Sequence, residues 1–245
     1  MKEFENFFRA AEPRIARLGY MIWDIHICPE IVIIDSIDDS FRCSYDLHTT
    51  IFGTPNEKIL DNFNPAVRIS LSFDLGWKDL IQSNFSDFFP MDKSVRNKDM
   101  NTFLCMDLKK DNFRPQSEYI SRELTKDEIK LLGLKRRILF SQGLGGVGII
   151  ENDELIGCAF SPHHVQTERF SFALIRGVWV GKKHRNKGLG YDLSIKMCDF
   201  LIEKGIELIT LWVEETNLPA VRIYEKLGFR IAEKVFGVDC IKKEK

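Results

Sequence analysis

No apolar run in this chain approaches the roughly 20 residues that a membrane-spanning helix needs. The opening MKEFENFF carries acids and has no apolar core of a secretory leader, so the expected location is the cytoplasm. Net charge is also missing. Lys and Arg total 35 against 36 Asp and Glu, a formal charge of −1, so no protein-wide field recruits nucleic acid or an anionic membrane. Six cysteines, Cys28, Cys43, Cys105, Cys158, Cys198 and Cys240, lie far apart with no C-x-x-C and no paired histidine spacing. That pattern favours reduced, mostly buried thiols over a disulfide frame or a zinc site, and no metal is expected. His163 and His164 are adjacent, which on a strand points them to opposite faces, so they read as loop or surface residues rather than joint ligands.

What the chain does hold is ordinary globular material, 44% hydrophobic and 29% charged over 245 residues, enough for one large or two small domains. One stretch organises the rest: VWVGKKHRNKGLGYDL, residues 178–193. A β-branched and aromatic run ends at Val180 and an amphipathic helix pattern opens at Leu189, so the residues between form a strand-to-helix turn. Its glycines, Gly188 and Gly190, leave backbone N–H groups uncovered at a helix start, where the first-turn amides carry partial positive charge. Such a turn can seat a phosphate or pyrophosphate, with Lys182, Lys183, Arg185 and Lys187 adding mobile charge. Alone, it can equally be a tight turn with a solvated basic rim.

The neighbouring sequence changes that balance. Val180, Arg185, Gly188 and Gly190 fit V-x-x-x-x-R-x-x-G-x-G, which resembles the acyl-CoA pyrophosphate motif of the GNAT superfamily of N-acetyltransferases. Downstream, ITLWVEETNLPAVRIYEKLGF (209–229) is similar to that family's strand, asparagine and N-x-x-A-x-x-x-Y-x-x-x-G-F helix, matched at Asn217, Ala220, Tyr224, Gly228 and Phe229. The likeness covers roughly residues 116–241. It implies a mixed α+β fold: a C-terminal GNAT domain (116–245) with a mixed, splayed central sheet flanked by helices, plus a smaller α+β N-terminal domain. The element order agrees. EYISREL reads as a first strand, residues 125–141 as a helix with Thr125 as cap, 147–150 and 155–160 as a hairpin, and 170–180 as a central strand. The strand 207–214 should lie parallel to 170–180 across the helix 188–204, Asn217 should cap the next helix, and 230–241 closes the sheet.

Residues 1–115 carry no phosphate turn and no glycine-rich motif, and read as an accessory α+β domain bounded by the polar segment 109–117. Residues 2–19 have apolar spacing of one amphipathic helix ended by Gly19. Strands are expected at 30–35, 41–47, 67–73 and 102–108, a helix over GWKDLIQSNFSDFF, and a loop at 90–99. The order of strand, Trp77-containing helix and strand ending at Leu108 is similar to the degenerate first half of some two-part GNAT acyltransferases, where it shapes the acceptor pocket.

The resemblance implies acetyl-CoA as co-substrate and an amine, of a small molecule or an exposed amino group, as acceptor. It implies a pyrophosphate site at Arg185, Asn186, Lys187, Gly188, Leu189 and Gly190, and pantetheine contacts along Val178, Trp179 and Val180 and at Asn217, Ala220 and Tyr224. Tyr224 matches the tyrosine that protonates the departing sulfur, though packing is its alternative role. Family members often carry a glutamate in the central strand, but FALIRG offers none, so Glu214, with Glu215 beside it, is the nearest candidate base. Either can equally be a solvated loop acid, and a base acting through water or an amine that arrives neutral would also serve. Arg176 is odd in an apolar strand and either pairs with an acid of the first half or holds a substrate carboxylate. A CoA-binding module of the same fold without catalysis is the alternative reading. A nucleotide-phosphate enzyme is weaker, because the G-x-x-x-x-G-K-[ST] arrangement is missing. The sequence leaves the oligomeric state open, a homodimer among the options.

Overall fold

The N-terminal amphipathic run breaks at Pro13 rather than at Gly19. In the computed structural model, which describes residues 2–46, 48–61, 63–64, 67–89, 100–116, 118–133 and 143–243, helix α1 (Lys2–Ala11) passes through a 3₁₀ turn (Glu12–Arg14) into α2 (Ile15–Ile27). Pro13 has no N–H to donate and so ends one helix while starting the next. Gly19 lies inside α2, where a Cβ would come 2.8 Å from the Phe172 ring. Close packing, not helix termination, is what this glycine provides.

Three short strands follow, β1 (Val32–Ile37), β2 (Ser40–Tyr45) and β3 (His48–Gly53), paired antiparallel in sequence. Strand β4 (Arg68–Phe73) lies parallel to β3 from His48↔Ser70 to Ile51↔Phe73. The expected helix around Trp77 is shorter than its apolar spacing suggests: α3 covers Lys78–Asn84, and the phenylalanine-rich end is a strand, β5 (Phe85–Phe89), paired to the C-terminal strand. The expected loop at 90–99 lies outside the described residues. Strand β6 (Asn101–Lys109) closes the first half.

The second half opens with a two-residue strand, β7 (Arg122–Glu123), in place of the longer one read from EYISREL. Thr125 opens a turn, but the capping is done by Glu128, whose carboxylate accepts from both the Thr125 N–H (2.8 Å) and its Oγ1 (3.0 Å). Among the described residues the Thr125 hydroxyl accepts from no N–H of the turn. That turn is 3₁₀ over Lys126–Leu131, and 134–142, the remainder of the expected helix, lies outside the described residues. Strands β8 (Gly145–Glu151), β9 (Glu154–Gln166) and β10 (Ser171–Val180) run antiparallel; helix α4 (Leu189–Glu203) then crosses to β11 (Leu208–Glu214), parallel to β10. Helix α5 (Leu218–Lys226) and β12 (Arg230–Lys242) complete the chain. His163 and His164 are strand residues of β9, not loop residues.

The twelve strands among the described residues join one sheet, ordered β1-β2-β3-β4-β12-β6-β11-β10-β9-β8-β7, with β5 on β12. Strand β6 lies between β11 and the first part of β12, so a strand of the first half is interior to the second. The far end of β12 in turn lies against β4 and β5 of the first half. One face of the second half is covered by α4 and α5, through Leu193, Met197, Phe200 and Leu201 against Ala173, Ile175 and Leu211. The other is covered by α2, whose Leu18, Met21 and Ile22 meet Phe172 and Val165 on one side and Cys43 and Phe52 on the other. Each large side chain fully buried there contributes about 1.5–3 kcal/mol. The six cysteines are free thiols.

Candidate functional site

The parallel pairing of β10 and β11 stops early. Its last pair is Leu174↔Thr210, after which the strands diverge while β10 stays on β9 as far as Val180↔Gly157. Register shifts on the β9 side at Leu174/Arg176 and Arg176/Trp179, with Gly177 at φ +71°, bend β10 outward. From Ile175 to Val180 the edge towards β11 carries no strand partner. A cleft of about 320 Å³ opens there, lined from β10 by Ile175, Arg176, Gly177 and Val178 and from β11 by Trp212, Val213 and Glu214. Helices α4 and α5 supply Gly190, Ser194, Ala220, Ile223 and Tyr224, with Asn217 at the start of α5.

Beyond the cleft lies the glycine turn. A 3₁₀ turn, Lys182–His184, leads to Asn186 at φ +61° and Gly188 at φ +80°, and Gly188 is the N-cap of α4. A Cβ on Gly188 would meet nothing within 4 Å, so its left-handed backbone, not crowding, is what favours glycine. The first helical N–H groups to find acceptors are those of Tyr191 and Asp192, both to Gly188 O. Among the described residues the N–H groups of Lys187, Gly188, Leu189 and Gly190 donate to no protein acceptor, and Lys182, Lys183, Arg185 and Lys187 are exposed around them. Free amides, a helix dipole and cations with no Cβ in the way suit a diphosphate. Arg185 Nε donates to Val180 O at 3.1 Å, tying the turn to the strand end. Gly190 lets the helices approach, since a Cβ there would lie 3.3 Å from Ile223 Cδ1.

Tyr224 is 8% exposed and packs edge-on to Phe229. Burial above all, with Cys198 nearby, pushes its phenol up to about 12, so it stays protonated across the neutral range. Asn217 occupies the N-cap position of α5, but its side chain makes no capping hydrogen bond and is left to face the cleft. Trp179 points elsewhere, packing on Cys158, Phe160 and Leu124. The two neighbouring glutamates separate: Glu215 is exposed and bound to Lys234 Nζ at 2.6 Å, whereas Glu214 lines the cleft and accepts from Asn101 Nδ2 at 2.7 Å. Arg176 is exposed at the cleft wall, which removes the cost of burying its charge, and among the described residues it pairs with no acid. Asn101 and Phe103 of β6 and Trp212 of β11 belong to the site and were not anticipated. Their signal is non-local, because Asn101 meets Glu214 across 113 positions.

A larger hollow, about 510 Å³, lies in the first half among Arg14, Asp39, Phe41, Phe52, Gly53 and Asp74. Size does not make it the site. It adjoins the start of α2, but there Pro13 has no N–H to offer and Arg14 brings a bulky side chain in place of a glycine, and it contains none of Arg185, Gly188, Gly190 and Tyr224.

The sequence profile of the acetyltransferase (GNAT) family matches residues 105–229. The chain belongs to this family. Its matched region begins inside β6, in keeping with that strand's place beside β11. A mycothiol acetyltransferase of Corynebacterium aurimucosum is 39% identical over 64 residues, 26% of this chain and 21% of that protein. An N-alpha-acetyltransferase 30 of Xenopus laevis is 28% identical over 95 residues, 37% of this chain and 35% of that protein. The chain therefore matches well under half the length of these relatives. A GCN5-related N-acetyltransferase of Kribbella flavida shares the fold at a TM-score of 0.61 and 12% identity, over 93% of this chain and 95% of that one. Among the described residues of this GNAT chain, no group of acids, histidines and cysteines could hold a metal and no helix is long and apolar enough to cross a membrane.

Proposed function

We propose that this GNAT chain is a cytoplasmic N-acetyltransferase that moves the acetyl group of acetyl-CoA directly to a primary amine in a ternary complex. The observation that carries this reading is the continuity of the free amides at 187–190 with the unpaired edge of β10 and with Tyr224 in one cleft. The pyrophosphate would sit on the turn from Arg185 to Gly190, and the peptide-like pantetheine arm would pair along Val178, Trp179 and Val180, with Asn217 and Ala220 beside it. A backbone N–H of bent β10 would polarise the thioester carbonyl. Attack by the amine nitrogen forms the new C–N bond as the C–S bond breaks. Glu214 takes the proton lost by the amine, and the phenol of Tyr224 gives one to the departing sulfur. Arg176 would face the acceptor.

The first half, we infer, is a degenerate GNAT-like unit, so that 1–115 and 116–245 form two units that each lend a strand to the other. Support comes from the strand sequence: β1, β2 and β3 antiparallel and β4 parallel to β3, as β8, β9 and β10 are antiparallel and β11 parallel to β10.

Tyr224→Phe tests the chemistry. Turnover with a responsive amine is expected to fall about a hundredfold or more, with the KM for acetyl-CoA unchanged. Unaltered turnover would return Tyr224 to a packing role. Acetyl-CoA binding without thiol release on any amine would favour the non-catalytic binding module.

A further inference from the structure

The cleft between β10 and β11 holds two charges of opposite sign that the protein does not neutralise. Arg176 projects from β10 at its wall and pairs with no acid among the described residues. Glu214, at the end of β11, accepts one hydrogen bond from the neutral amide of Asn101 and meets no cation there. The remaining side chains lining the cleft are uncharged. Because the strands diverge after Leu174↔Thr210, the backbone holds the guanidinium and the carboxylate on separate walls, and they do not pair with each other. Asn101 is 3% exposed, so its amide fixes the Glu214 carboxylate from behind instead of competing for the ligand.

The neighbours of the cation sharpen its role. His163, opposite Leu174 on β9, packs with its ring centroid 4.6 Å from that of Trp23, the planes tilted by 55°, and carries a buried Nδ1 with no hydrogen-bond partner among the described residues. Burial, the Arg176 charge and His164 hold its pKa down at about 4, so the imidazole is neutral and leaves Arg176 as the local cation. Phe103 and Trp212, with ring centroids 6.0 Å apart, give the same cleft an apolar wall for a carbon skeleton. A polyamine would set a second positive charge against Arg176, which like-charge repulsion opposes.

Building on the N-acetyltransferase reading, we propose that the acceptor is a small zwitterion, an amine carrying a carboxylate in the same molecule, with Arg176 receiving the carboxylate and Glu214 facing the amine. A guanidinium meets a carboxylate through two parallel N–H donors, which sets orientation as well as affinity.

The test uses the full chain, acetyl-CoA and thiol release, with each acceptor given in matched form: 4-aminobutyrate against its carboxamide, leucine against leucinamide, and 1,4-diaminobutane as the doubly cationic control. Rates are compared at equal free-amine concentration. The carboxylate form is expected to win by about ten- to a hundredfold in kcat/KM. Arg176→Gln should bring that ratio close to one without changing the KM for acetyl-CoA, and Arg176→Glu should turn the preference towards the diamine. Carboxamides acetylated as fast as their acids, or a preference that survives Arg176→Gln, overturn the acceptor class and leave the acetyltransferase reading standing. Acetyl-CoA binding with no thiol release on any acceptor, whatever its charge, overturns that reading, and this inference with it.

Discussion

The two halves meet the same geometric situation and answer it differently. In the second half the parallel pair β10/β11 splays after Leu174↔Thr210, and the crossover between its strands carries Gly188 and the fifteen-residue helix α4. In the first half β3/β4 is paired only as far as Ile51↔Phe73, but the described residues of the crossover hold a four-residue 3₁₀ turn, Glu57–Leu60, and no helix of that length. The free strand end is also used up. Asp74 accepts the Gly53 N–H at 3.3 Å, Trp77 Nε1 donates to Gly53 O at 3.0 Å, and the fully buried Arg17 pairs with Asp74. Backbone groups that would be available to a peptide-like ligand in the second half are satisfied by side chains in the first. On the proposed reading, a diverging parallel pair does not by itself make an acyl-CoA site; a helix start with free amides and an unstoppered strand edge would be needed as well.

The largest expected effect breaks the halves apart. A chain of residues 116–245 loses β6, which supplies the partner of both β11 and β12, and is expected to show no cooperative thermal transition by circular dichroism. A sharp melt would mean that the second half closes its sheet without the borrowed strand.

Next come the two glycines that end β3 and open α4. A Cβ on Gly53 would fall 1.8 Å from Asp39 O, at φ +89°, whereas one on Gly188 would meet nothing. Gly53→Ala should cost about 2 kcal/mol or more of stability in urea, and Gly188→Ala only about 1 kcal/mol from backbone strain. Equal losses would erase the distinction between a packed strand end and an open turn.

The second half was readable because its signals are local. Gly188, Gly190, Asn217 and Tyr224 lie within a few residues of the strand or helix ends they define, so spacing alone places them. What spacing could not reach was set by distant partners. Gly19 looks like a helix stop until Phe172 occupies the space above it. Phe85–Phe89 continues a helical apolar rhythm, yet β12 offers it a ladder. Strand β6 carries no hint that it belongs beside β11, and the choice between Glu214 and Glu215 depends on Asn101 and Lys234, far along the chain.

The smallest effect concerns α2, the helix both halves share. Asp24 is 8% exposed on it, near Cys43 of the first half, and burial raises its carboxyl from 3.8 to about 7. The folded state thus prefers the protonated acid. Below pH 3.8 folded and unfolded chains are both protonated there and no penalty arises. As pH rises the unfolded chain ionises first, so stability is lost up to about pH 7 and the loss is constant above it. Asp24→Asn should leave the thermal midpoint little changed near pH 3.8 and raise it progressively towards pH 7. Parallel midpoint curves for variant and wild type would show that Asp24 is solvated.

Calorimetric titration of acetyl-CoA into the full chain and into Gly188→Glu addresses the contrast between the halves most directly. One molecule should bind per wild-type chain, and none should bind measurably to the variant, with its circular dichroism spectrum unchanged. Undiminished binding to Gly188→Glu would mean that the turn before α4 is not where acetyl-CoA is held, and two molecules per chain would mean that the first half takes one as well and that the contrast between the halves is wrong.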